Sequence, residues 1–338
     1  MTIPFRTRRR LKQLGTGLMI LLMVLVLIWM CWVIWLERYV VYSDQGASLR
    51  WDRDPHIPSG ELAVPPESQD TVGIFYNEGQ DSVVISTELT RMSGYYADTD
   101  ALTDIPAVRA QIQELPSDVP IMLDVKNSKG NFYYSTSVGK SNNPDIDTGA
   151  MNSLIADLAL SERYLIARLP AFRDWEFGLN NVNSGLFLPS GMGLWMDEDG
   201  CYWLNPDSST TTSYLMRIVS ELKELGFDEV VFTEFRFPYG DYVFDGDQSI
   251  ALAKSAQTLV TGCSTDSFTV SFLSNYPAFP VPEGRSRLYL TGFAATDVES
   301  CAESANLPDP VTQLVFLTES SDTRYETYGV LRPLDTAH

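Results

Sequence analysis

The stretch TTTSYLMRIVSELKELGFDEVVFTEFRFP, residues 210–238, places a helix directly before a strand. Leu215, Ile218, Val219, Leu222 and Leu225 recur at spacings of three and four, which puts them on one helical face. Threonines and serine stand at the start of that pattern, and Gly226 suits its C-cap. EVVFTEFRF (229–237) then reads as a strand. A helix feeding straight into a strand is the repeating unit of a parallel sheet.

The same alternation extends in both directions. Upstream lie the brief aromatic run Gly94–Ala97, VPIMLDVK (119–126) and RYLIARLPAF (163–172). Downstream come SFTVSFL (267–273), RLYLTGF (287–293), QLVFLTES (313–320) and YGVLRPL (328–334). Helical patterns near Pro106–Glu114, Met151–Leu160 and Ser249–Leu259 separate several of them. Eight strands over residues 71–338 predict a (β/α)8 TIM-like barrel, whose usual size is about 250 residues. The barrel is expected to be partly degenerate in its C-terminal half. The fifth connection, SNYPAFPVPEGRS, is too proline-rich for a helix, and the seventh, SDTRYET, is too short for a long one. An open doubly wound sheet is the alternative. It lacks its usual cofactor signature, because GMG at 191–193 has no third glycine and follows no strand. No nucleotide or other cofactor is expected.

The N-terminus has a different character. Residues 18–36 (LMILLMVLVLIWMCWVIWL) are uninterrupted apolar side chains, long enough to cross a bilayer core of about 30 Å. Arg6, Arg8, Arg9, Arg10 and Lys12 precede them, which orients a signal-anchor helix with its N-terminus in the cytoplasm and the bulk of the chain outside. A cleaved signal peptide has a shorter apolar core and a small-residue cleavage site, and ERYVVYSDQ offers none. Residues 1–17 are thus read as a basic tail, 18–36 as a transmembrane helix and 37–70 as a linker. The linker's aperiodic part, from residue 43, contains four prolines.

Composition narrows the chemistry. Residues 43–338 carry 18 cations against 43 anions, a formal charge of −25, which repels nucleic acid and anionic headgroups. Beyond Cys31 there are three cysteines, Cys201, Cys263 and Cys301, so at most one disulfide can form, and their spacing excludes a metal knuckle. The two histidines, His56 and His338, lie in the linker and at the last residue. Imidazole-based triads and histidine-rich zinc sites are therefore excluded, and no metal is expected. Chemistry in this chain must rest on carboxylates, Lys, Arg or Tyr.

LDVKNSKG (123–130), YLIARLPAF with Asp174 after it, WLNP (203–206) and LGFDEVVFTEFRFP (225–238) fall in an order and spacing that resemble the bacterial "putative glycosyl hydrolase domain" family. The resemblance runs from about Gly94 to Pro238 and implies a barrel related to polysaccharide-degrading enzymes. In that family the fourth strand reads like F-D-Y-I-R-F-P. Here Phe232-Thr233-Glu234-Phe235-Arg236-Phe237-Pro238 puts threonine at the aspartate position and a carboxylate one residue later. Successive strand side chains face opposite ways, so Glu234 takes that role only where the strand end twists or bulges.

Glycoside hydrolysis needs an acid to protonate the leaving oxygen and a second carboxylate as base or nucleophile. In barrels both stand at the C-terminal ends of strands. The candidates are Glu234 with Glu319, or Asp124 with Glu234; Asp297 is a further acid after the sixth strand. Asp124 with Lys126, and Glu234 with Arg236, share strand faces and can equally form structural ion pairs. Lys126, Arg168, Asp174 and Arg236 are expected to face the substrate. Trp175, Trp195 and Trp203 crowd the long third loop, and Tyr239 follows the fourth strand. Flat rings of this kind stack on sugars, although a loop of such length also needs a small core of its own. Two functions are consistent with this: a tethered hydrolase of envelope or external polysaccharide, or an inactive barrel that binds glycan or an envelope protein.

Overall fold

The computed structural model describes residues 88–334 apart from Asn142 and Glu162, together with Met23, Trp29 and two short strands at 40–43 and 46–49. The chain divides into two units, residues 1–81 and 82–338. In the first, Val40–Ser43 and Gly46–Leu49 pair as an antiparallel hairpin inside the segment read as a tether. Its strands are separated by Asp44 and Gln45, the two-residue spacing of tight hairpins, which a search for longer periods passes over. Among the described residues no helix is long and apolar enough to cross a membrane. The span expected at 18–36 lies outside them except for Met23 and Trp29.

The second unit is a closed barrel of eight parallel strands. In chain order they are β1 (Ser93–Ala97), β2 (Ile121–Asp124), β3 (Leu165–Pro170), β4 (Glu229–Thr233), β5 (Thr269–Ser274), β6 (Leu288–Thr291), β7 (Leu314–Leu317) and β8 (Gly329–Pro333). Each pairs with its neighbours in sequence, and β8 closes on β1 with Val330 opposite Ser93. The expected eight strands are all present, and the open sheet is excluded.

Both faces of these strands are covered, which is why they read as apolar runs rather than alternations. Ile121, Leu123, Leu165, Val230, Phe232 and Phe272 belong to the outer core under the helices. Met122, Ile166, Val231, Tyr289, Val315 and Leu331 form a separate cluster inside the barrel. The helices are α1 (Ile105–Glu114), α2 (Thr148–Ala159), α3 (Trp175–Asn180), α4 (Ser209–Glu224), α5 (Gln248–Cys263), α6 (Val298–Ala305) and α7 (Pro310–Gln313). Asp104, Asp147, Ser208 and Asp247 cap four of them by accepting from first-turn amides. Gly226 ends α4 at φ +92°, a backbone that its missing Cβ permits.

Degeneracy falls in the fifth and seventh connections, one rich in proline and the other short. No helix fills the fifth connection between β5 and β6; Phe279 of that segment packs instead on Phe272 and Phe235, with ring centroids 5.4 and 6.1 Å away. The seventh connection is one 3-10 turn, Thr323–Thr327.

The N-terminal end of the barrel is plugged by a buried ionic cluster that the sequence did not announce. Glu229 pairs with Arg287 at 2.5 Å and accepts hydrogen bonds from the Tyr164 and Tyr289 hydroxyls, both at 3.0 Å. Arg287 also donates to the Thr312 and Thr90 carbonyls.

Cys201, Cys263 and Cys301 are all free thiols, so the single disulfide allowed by their number does not form among them. Burial pushes the Cys201 thiol up to about 12, and its Sγ donates to the Ser128 carbonyl. Burial raises Cys263 and Cys301 as well. Since the thiolate is the nucleophile, these three are expected to resist iodoacetamide at pH 7.5 in the native protein and to react fully in denaturant. Peptide mass spectrometry of the two samples checks this.

Candidate functional site

Two carboxylates stand at the ends of β2 and β4, and their surroundings differ. Asp124 is closed off. Arg168 of β3 binds it through two nitrogens, Nε to Oδ1 at 2.5 Å and Nη2 to Oδ2 at 3.1 Å. The Thr99 amide and hydroxyl donate to the same Oδ2 at 2.8 and 3.0 Å. Arg168 in turn lies 5.2 Å from the Tyr96 ring centroid. The partner of Asp124 is thus Arg168 of the neighbouring strand rather than Lys126. Both side chains are spoken for, which leaves Asp124 poorly placed to act on a substrate.

Glu234, one residue past β4, is the more exposed of the two, with 29% of its side chain accessible against 14% for Asp124. Its φ of +49° is one of two left-handed non-glycine conformations among the described residues. A regular strand would send Thr233 inward and Glu234 outward. The left-handed residue breaks that alternation, so Thr233 and Glu234 both line a cleft of about 230 Å³ at the barrel mouth, with Asn275 and Thr291. This is the twist that a carboxylate displaced by one position requires. Arg236 Nη2 meets Glu234 Oε2 at 2.9 Å.

The third loop, between β3 and α4, builds a larger cleft of about 690 Å³ beside the first. Trp195, Trp203, Glu234, Arg236 and Tyr239 line it, and Glu234 and Arg236 line the mouth cleft too, as a wall common to both. The Arg236 guanidinium lies 4.8 Å from the Trp203 ring centroid and 5.3 Å from that of Tyr239. Trp203 is buried and fixed by its indole N–H, which donates to Asp197 at 2.9 Å, whereas Tyr239 is 85% exposed. Asp197 also accepts from Arg173 Nε at 2.6 Å. Burial pushes the Asp197 carboxyl upward, but the bonds from Arg173 and Trp203 outweigh it and hold the group below the usual aspartate value.

Lys126 and Asp174, expected to face substrate, have no exposed side-chain surface and pair with each other at 2.7 Å. Asp174 Oδ1 caps α3 by accepting from the Phe177 amide, and Oδ2 accepts from the Tyr214 hydroxyl, both at 2.8 Å. Gly130 (φ +84°) packs so closely that a Cβ there would come within 2.5 Å of Asp174 Oδ1. The motif LDVK…G with the later aspartate is therefore one buried knot tying the second loop to the third. The Trp175 amide adds a bond to the Ser128 carbonyl at 2.9 Å.

Of the remaining expectations, Trp175 is partly exposed and stacked beside Tyr202, away from both clefts. Glu319 and Asp297 are exposed and line neither cleft. The pair Glu234–Glu319 therefore does not share either space. The sequence reading missed Arg173, Asp197 and Asn275. The run WMDEDGCYW around a D-E-D-G turn was the available sign of a hairpin facing the cleft. Among the described residues no group of histidine, cysteine or acid side chains could hold a metal ion.

Residues 115–261 match the model of the family described as "Putative glycosyl hydrolase domain". This stretch is similar to that family's domain. It contains Lys126, Gly130, Asp174, Trp203, Glu234 and Arg236, the residues of the knot and of the cleft. No curated protein sequence matches the chain.

Among solved structures, the chain is similar in fold to the GH20 exo-β-N-acetylglucosaminidase from Vibrio harveyi. The identity is 7%, the TM-score 0.50, and the match covers 72% of this chain and 50% of that one. The galactosidase domain of an α-galactosidase–sucrose kinase matches at 9% identity and TM-score 0.50, over 74% of this chain and 38% of that one. A hypothetical protein from Ruminiclostridium thermocellum matches at 18% identity and TM-score 0.43, over 53% of this chain and 96% of that one. The chain thus spans half or less of the two glycosidases, and what it shares with them is the barrel.

Proposed function

We propose that this is a membrane-tethered, extracytoplasmic glycoside hydrolase acting on a cell-envelope or external polysaccharide, with Glu234 at the reacting sugar. The observation that carries the reading is the left-handed backbone of Glu234. Such a conformation costs a residue other than glycine, asparagine or aspartate about 1–2 kcal/mol, and strain of this kind gathers at functional sites. Here it places a carboxylate on the wall common to both clefts, the outer of which the exposed ring of Tyr239 also lines. The family match over residues 115–261 supports the same chemistry.

A specific observation favours the second reading, a barrel that binds glycan without cutting it. Hydrolysis uses two acids, and Glu234 is the one carboxylate lining the mouth cleft, while Asp124 is held by Arg168 and Thr99. Asp197, Glu198 and Asp199 line the outer cleft and are the other acids bordering the same space.

One experiment separates the two. The full chain in neutral detergent is incubated with a polysaccharide panel, and new reducing ends are counted beside pull-down of the polymer. Glu234→Gln should lower turnover at least 100-fold, about 2.7 kcal/mol, with binding retained. Retained binding without reducing ends from either protein establishes the binding barrel. Unchanged turnover in the variant removes Glu234 from the mechanism.

Tyr239→Ala should weaken glycan binding by about 1 kcal/mol through lost stacking. Its stability should stay unchanged, because the ring is exposed. Titration with the bound oligosaccharide and a thermal melt check the two halves of that expectation.

A further inference from the structure

Charge in the cleft is unevenly matched. Four carboxylates (Asp197, Glu198, Asp199 and Glu234) and two guanidiniums (Arg173 and Arg236) line it. Both guanidiniums are already engaged: Arg173 holds Asp197 and Asp199, each at 2.6 Å, and Arg236 holds Glu234 at 2.9 Å. No cation is left over to receive the carboxylate of a uronic acid or a sulfate. Glu198 is exposed and has no ion-pair partner among the described residues. The mouth cleft adds no further charge, since Thr233, Ser274, Asn275 and Thr291 are neutral hydrogen-bonding groups.

The chemistry of a sugar that fits follows from this inventory. Tyr239 and Trp195 offer ring surface for the apolar C–H face of a pyranose, and the neutral mouth groups suit hydroxyls. An acidic sugar would bring a second anion against Glu198 and would have to break an existing Arg–carboxylate pair to find a cation. Like charges brought together in this way are a device for rejecting wrong ligands. An amine-bearing sugar meets the opposite situation, because its ammonium group can pair with Glu198. The acidic surface of residues 43–338 acts in the same direction at longer range, drawing in cationic polymers and repelling anionic ones.

We propose that the cleft admits neutral glycans, prefers those carrying free amino groups, and rejects acidic ones, with Glu198 setting the preference for the amine. This rests on the reading of the cleft as a glycan site and names the substrate class for it.

The test titrates the full chain in neutral detergent with three tetrasaccharides: glucosamine, N-acetylglucosamine and galacturonic acid, at 20 and 300 mM salt. Intrinsic tryptophan fluorescence reports occupancy through Trp195. At low salt the glucosamine oligomer should bind about tenfold more tightly than the acetylated one, and the galacturonic oligomer at least tenfold more weakly than the acetylated one. High salt should narrow both gaps, since these charges are partly solvated. Glu198→Gln should reduce the preference for the amine, read as the ratio of the two affinities, about threefold or more. Binding of the galacturonic oligomer as tightly as the acetylated one overturns the inference while leaving the glycan reading intact. So does equal binding of the amine and acetyl forms. Failure of all three oligomers, and of the polysaccharide panel above, overturns the glycan reading and this inference with it.

Discussion

Replacing Asp174 with alanine is expected to destabilise the domain by about 3–5 kcal/mol, because it leaves the Lys126 ammonium buried without its counter-charge. Three further losses follow from the same deletion. The Tyr214 hydroxyl loses its acceptor, the Phe177 amide loses its cap, and a void opens beside Gly130. Lys126 has little else to turn to. Its remaining polar contact is the Pro170 carbonyl at 3.5 Å, and its nearest rings, Phe132 and Tyr214, are 5.8 and 6.0 Å away. Denaturant unfolding of the full chain in detergent measures the total. The double variant Lys126→Met, Asp174→Leu should recover most of it, since replacing both partners removes the buried charge along with its penalty. A single variant with stability within 1 kcal/mol of the parent would show that the pair is not held dry. Because the knot anchors the third loop, glycan affinity should fall in the folded fraction as well. That second readout distinguishes it from a purely global defect.

The same knot shows what the sequence could and could not disclose. LDVK, Gly130 and Asp174 are recognisable as a motif, from which Lys126 and Asp174 are expected to face substrate. Spacing reveals that residues belong together, but it does not reveal on which side of a loop they meet. The backbone decides that, here through a glycine at φ +84° that lets Asp174 close over Lys126. Glu234 posed the converse problem. Strand alternation argued against it, and nothing in Thr-Glu-Phe marks a left-handed residue, so its entry into the cleft appears only in the folded chain.

The barrel was more legible because it depends on patterns that add up over many residues. Eight apolar runs, helical spacing such as Leu215–Leu225, and proline density in the fifth connection each constrain several residues at once. The aromatic and basic lining of the cleft was half legible. Trp195, Trp203, Arg236 and Tyr239 were expected together and do line one cleft, but the Asp197–Arg173 support beneath them joins residues 24 apart through a hairpin. A pairing of that kind, held by one loop's own fold, leaves no periodic trace.

Arg287→Met should cost about 3–5 kcal/mol as well, but at the opposite end of the barrel and with a different consequence. It removes the counter-charge of Glu229, which is fully buried and would keep only the Tyr164 and Tyr289 hydroxyls as donors. It also strips donors from the Thr90 and Thr312 carbonyls, just before β1 and β7. The cluster therefore ties the starts of β1, β3, β4, β6 and β7, and its loss should loosen barrel closure as a whole. The expected result is a lower thermal midpoint, by roughly 2–4 °C for each kcal/mol in a domain of this size. Glu229→Leu combined with Arg287→Met should restore much of it. Affinity for glycan per folded molecule should be unchanged, since none of these residues lines a cleft. If Arg287→Met altered glycan affinity at a temperature where the variant is fully folded, the two ends of the barrel would be coupled. The separation of a stabilising N-terminal face from a functional C-terminal face, on which the Glu234 assignment depends, would then fail for this protein.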